Sequence, residues 1–161
     1  MLKKINRFMF ALPTISFIFL ILLGSFLFVI PLDLFLPEIQ KNPITEAPLI
    51  LQVLLGVLAA PIYETIVFQV FLFWLLSWIP YIKNHDYLII LITSIIFGLN
   101  HPYGITYIVG TTIIGLLYNY AYWVYKKKNE KYQVTMSAFG VVFLIHLLHN
   151  SVAFIASNLS F

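Results

Sequence analysis

Between Leu49 and Ile79 the chain carries one charged side chain, Glu64, and no basic residue. At 1.5 Å per residue a single straight helix over that run would exceed a hydrocarbon core of ~30 Å. A segment so long and so apolar reads as membrane-spanning, and the rest of the chain agrees: hydrophobic residues make up 61% and charged residues 9% of its 161 residues. That is room for one membrane domain of about five spans at roughly 20 residues each. No segment alternates in the period-2 pattern of a barrel strand, so the expected class is all-α, a polytopic helix bundle. With no cysteine, disulfides, thiolate metal sites and cysteine nucleophiles are excluded together.

The first span is expected from Phe8 to Ile30, behind the basic residues Lys3, Lys4 and Arg7. Its apolar core is too long for a cleaved signal peptide and no small-x-small site follows. Pro31 to Pro48, with its prolines, Asp33, Glu38, Glu46 and Lys41, reads as an exposed connection. Pro61 interrupts the second run, which predicts a kinked or broken helix there, with Glu64 in the first turn beyond it, where free N–H groups favour a carboxylate. Three further spans follow: Asp86 to His101, Gly104 to Tyr125, and Tyr132 to about Leu159. The chain shows no internal repeat of the transporter kind.

Basic residues set the orientation. With the N-terminus cytoplasmic, Lys3, Lys4, Arg7, Lys83, Lys126, Lys127, Lys128 and Lys131 all fall inside and only Lys41 falls outside, an arrangement the positive-inside rule favours. The Lys126 to Lys131 cluster faces anionic lipid in this reading, and a net charge of +3 calls for no nucleic-acid partner. The lipid bilayer is the expected surrounding.

A carboxylate at bilayer depth costs several kcal/mol unless it is hydrated or paired, so Glu64 needs a function or a partner. Candidates lie on other spans. Residues four apart share a helix face, which puts His146 with Asn150, and Phe97 with His101 just before Pro102; Gln69 can reach the same interior as Glu64. His149 suits a hydrogen bond to a neighbouring helix. These residue types fit amide hydrolysis inside a membrane: Glu64 as general base and then acid, His101 assisting, His146 and Asn150 donating to an oxyanion. Two histidines and a carboxylate could instead hold zinc, although the His-Glu-x-x-His signature is absent. A proton pathway could use the same groups.

The ordered motifs resemble those of the intramembrane endopeptidases that include prenyl-protein CAAX proteases and bacteriocin-processing or immunity proteins, the CPBP or Abi family. That family carries Glu-Glu-x-x-x-Arg, Phe-x-x-x-His and His-x-x-x-Asn on separate helices. Here the first resembles Glu64-Thr65-Ile66-Val67-Phe68-Gln69, the second is Phe97 to His101, and the third is His146 to Asn150, with Gly115 to Tyr118 a weaker feature between them. The similarity covers about 49–155, a catalytic core within a single domain of 1–161. It implies that Glu64 activates water, that His101 assists, that His146 and Asn150 stabilise the oxyanion, and that no metal is tightly held. The implied substrate is a peptide or a membrane-anchored protein; the implied alternative is a non-catalytic member acting as a peptide-binding or bacteriocin-immunity protein. Thr65 and Gln69 stand where the family has its second acid and its arginine. A stabiliser for Glu64 must then come from helix N–H groups near Pro61 or from a histidine.

Overall fold

The computed structural model describes residues 2–36, 42–132 and 136–159, and these fold as helices and connecting turns with no strand. We number the helices α1 (Leu2–Ala11), α2 (Thr14–Leu27), α3 (Leu49–Leu76), α4 (Asp86–Leu99), α5 (Ile105–Lys131) and α6 (Ala138–Leu159). Three segments are long and apolar enough to cross a bilayer, Thr14–Leu32, Leu49–Leu76 and Ala138–Asn158; α4 is a shorter apolar helix, and α5 ends in the lysine cluster. The expected all-α polytopic bundle is therefore what the chain forms. Lys41, assigned to the outer side, lies outside the described residues, as do residues 133–135 of the fifth expected span.

The first span starts later than expected. Pro13, extended at φ −58° and ψ 151°, has no N–H to continue α1 and separates it from α2. With Lys3, Lys4 and Arg7 among apolar residues, α1 has the composition of an interfacial helix. Short 3-10 turns, Ile30–Leu34 and Pro43–Glu46, lie in the connection to α3.

The irregularity expected at Pro61 is a change of hydrogen-bond register, and the helix does not break. Wide π turns run over Gln52–Ala59 and Thr65–Phe71 and flank an α segment, Ala60–Glu64. Pro61 lacks the N–H that would close the turn over it, and wider turns accommodate its ring. Because α3 continues, Glu64 sits inside a helix and not at a helix start, so no free terminal N–H groups stabilise its charge.

The core joins Phe17, Ile18 and Ile21 of α2 with Tyr118, Val124 and Tyr125 of α5 and Val141, Val142 and Ile145 of α6. The helices α4 and α5 approach most closely through small residues, as membrane helices do. A Cβ at Gly115 would lie 3.2 Å from Ser94 Cα, and one at Gly98 would lie 2.8 Å from Ile108 O and collide with Thr112 Oγ1. Asn119 Nδ2 donates to Ser94 Oγ (3.2 Å) across the same seam.

Candidate active site

The helices α3 and α6 and the turn after α4 bring Glu64, His101 and His146 together. Glu64 Oε2 lies 3.6 Å from His101 Nε2 and 3.6 Å from His146 Nε2. The three side chains retain only 14%, 14% and 5% of their exposure, in that order. Glu64 comes from the α segment of α3 that ends at it. His101 follows the end of α4, where its own N–H bonds to Gly98 O (3.0 Å) and the chain turns through Pro102 into α5. Gly104 has φ 96°, a conformation that favours glycine and lets α5 begin so soon after.

The hydrogen bonds assign protons. His101 Nδ1 is 2.8 Å from Phe97 O, and a carbonyl can only accept, so Nδ1 carries the proton. In the neutral ring Nε2 would be bare and would face a carboxylate oxygen with no proton between them. Nε2 is therefore the nitrogen turned toward Glu64, at 3.6 Å, beyond direct hydrogen-bond reach. The His146 ring packs against Tyr118 (centroids 4.8 Å) and Phe97 (6.2 Å). Its buried Nδ1 has no hydrogen-bond partner among the described residues.

Asn150 lines the same cavity, about 650 Å³ in volume, but one N–H of its amide is committed: Nδ2 donates to Gly56 O at 2.8 Å. Pro61 explains why that carbonyl is available. In the π turns before it, the N–H of Ala60 reaches Leu55 O, five residues back. The next donor in that register would belong to residue 61, and a proline has none. Gly56 O is thus freed by Pro61 on α3 and taken by Asn150 on α6.

His149 proves to be tied to another helix, as its position suggested. Its Nδ1 is 2.8 Å from Ser25 Oγ, which itself donates to Leu22 O (2.7 Å), and its ring stacks on Phe26 at 4.4 Å. Ser25 has one proton and gives it to the carbonyl, so His149 Nδ1 is the donor to Ser25 and its Nε2 is an acceptor. Two features escaped the sequence: Ser25, one of three hydroxyls in its apolar span, and Gly56, whose role is played by a backbone atom. Tyr118 was visible only as part of a weak motif; it lines the cavity, and its hydroxyl has no described partner.

Thr65 and Gln69 are fully buried, their side-chain polar atoms are hydrogen-bonded to no described residue, and neither lines the cavity. Gln69 thus does not join Glu64 in it. The side chains that a zinc reading would use do not form a metal-ligating group, nor does any other set of His, Cys, Asp and Glu among the described residues.

A family model described as Type II CAAX prenyl endopeptidase Rce1-like matches residues 46–152, more than half of the chain. No curated protein and no solved structure matches it.

Proposed function

Since the chain belongs to the Rce1-like family of type II CAAX prenyl endopeptidases, we propose that it is an intramembrane endopeptidase that hydrolyses a peptide bond with water activated by Glu64. The observation that carries this reading is one carboxylate oxygen held 3.6 Å from two imidazole nitrogens, one just past the end of α4 and one on α6. Contacts of that length leave room for a water on the cavity side, within ~2.8 Å of the carboxylate. In its carboxylate form Glu64 takes a proton from this water as the oxygen bonds to the scissile carbonyl carbon. The oxygen that becomes negative is met by His146 and by the second N–H of Asn150. The leaving nitrogen then takes that proton from Glu64 as the C–N bond breaks, which restores the carboxylate.

The test is hydrolysis of a quenched peptide library and of a membrane-anchored reporter by purified protein in liposomes. Glu64→Gln preserves shape and removes the base, so the rate should fall ~10²–10⁴-fold, the usual worth of general acid–base catalysis. Equal rates for Glu64→Gln and the unaltered protein would overturn the reading. The proposed chemistry uses the chain's own side chains, so a chelator should leave the rate unchanged. A second reading, a non-catalytic member that binds or neutralises a peptide, is supported by Thr65 and Gln69 in place of an acid and an arginine. It requires the cellular phenotype to survive Glu64→Gln.

A further inference from the structure

The two ends of the bundle differ in charge, and the cavity opens at one of them. At the first end, Lys128 Nζ donates to Leu12 O (2.8 Å), Lys127 lies 3.9 Å from Asp86 at the start of α4, and Tyr120 OH donates to Asn6 Oδ1 (2.9 Å). These contacts gather α1, the start of α4 and the end of α5. Lys83, in the connection from α3 to α4, belongs to the same end, as do the exposed rings of Trp74, Trp78 and Tyr81 at the end of α3 and just beyond it. Such rings next to lysines mark a membrane–water boundary.

The cavity mouth is at the opposite end. Thr45 and Gln52 come from the entry to α3, Asn100 and Tyr103 from the turn between α4 and α5, and Ser157 from the last turn of α6. Gln52 Nε2 fastens the entry by donating to Thr45 O and Ala47 O. The length of α4 gives the depth. Its 14 residues rise roughly 21 Å, so a helix that starts at the lysine-rich boundary ends about 9 Å short of the far side of a ~30 Å core. His101 and its partner Glu64 therefore lie recessed below the mouth, and the cavity joins them to the boundary.

Eight of the nine basic residues in the sequence belong to the lysine-rich end; the ninth, Lys41, lies outside the described residues. Short basic connections stay cytoplasmic. We propose that the cavity receives its substrate from the non-cytoplasmic side, as a polypeptide segment presented on that face of the membrane. The sidedness rests on charge and geometry, and only the word substrate rests on the hydrolase reading above. A protein tail confined to the cytoplasm could not reach Glu64 without passing the packed lysine-rich end.

The absence of cysteine allows a direct test with single-cysteine variants in intact cells of the expression host. Thr45→Cys and Ser157→Cys should react with a membrane-impermeant maleimide added outside. Lys83→Cys and Lys131→Cys should react only after permeabilisation. The reverse pattern, or outside labelling of both sets, would overturn the proposal. Two positions at each end guard against one variant that fails to insert. Labelling reads sidedness whether or not anything is cleaved, so an active Glu64→Gln variant would sink the hydrolase reading and leave this result standing.

Discussion

Asn150 should stabilise α3 through Gly56, and the partner that makes this testable is Pro61. In the unaltered chain the Gly56 carbonyl has Asn150 as its donor, at 2.8 Å. Asn150→Ala leaves that carbonyl unpaired in an apolar setting. Such an orphan costs about 1–3 kcal/mol, and interhelical hydrogen bonds in bilayers average nearer ~0.6, so a loss of about 1–2 kcal/mol in unfolding free energy is expected. Pro61→Ala supplies the missing backbone N–H five residues from Gly56. In that background the carbonyl has a donor of its own, and removing Asn150 should cost less than ~0.5 kcal/mol.

The assay is equilibrium unfolding in mixed micelles for the four members of the cycle, with hydrolysis measured on each. A coupling of about 1 kcal/mol between positions 61 and 150 is the expected result. Equal losses from Asn150→Ala in both backgrounds, within ~0.5 kcal/mol, would refute the reasoning, because residues that share no partner act additively. The kinetic data separate the two N–H groups of the amide. Where stability recovers in the double variant and kcat does not, the second N–H acts on substrate; where both recover, Asn150 works only by holding α3.

Two further outcomes follow from the packing. Gly98→Ala forces a methyl group against Thr112 Oγ1 and Ile108 O across the α4–α5 seam, and should cost about 1–3 kcal/mol of stability and lower kcat by moving His101, read by unfolding and hydrolysis together. Gln69→Leu removes a fully buried amide that is hydrogen-bonded to no described residue. It should raise stability by ~1 kcal/mol and leave kcat unchanged; a drop in kcat would instead assign Gln69 to the reaction.

The helical class was legible because prolines and charges separate the apolar runs, and each run is too long to be solvated. Four-residue spacing put His101 with Phe97 and His146 with Asn150, and the resemblance of the ordered motifs to one family brought those pairs to Glu64. Pro13 was readable as a breaker in principle, but the apolar residues on both sides made one span of two helices. The Asn150–Gly56 contact was not legible, since every residue carries a carbonyl and a sequence does not mark the one left without a donor. Pro61, five residues beyond Gly56, was its only local trace. Ser25 left none, because nothing sets it apart from Thr14 and Ser16 in the same span, and a hydroxyl in a helix can satisfy itself on the preceding turn.

Replacing an acid and an arginine by Thr65 and Gln69 changes how Glu64 can be kept charged. An arginine next to the carboxylate would stabilise it permanently and could never give up its proton. The structure offers Glu64 neither that cation nor a helix start, and offers two imidazoles at 3.6 Å. An imidazole supplies positive charge only while it holds a proton, and the bond from His101 Nδ1 to Phe97 O directs that exchangeable proton through Nε2, toward Glu64. A proton on that nitrogen would offset the carboxylate's charge, which lowers the cost of burying the two together. In the proposed reaction Glu64 and His101 act as one unit: His101→Ala should be as damaging to hydrolysis as Glu64→Gln, and the two substitutions together should cost little more than either alone.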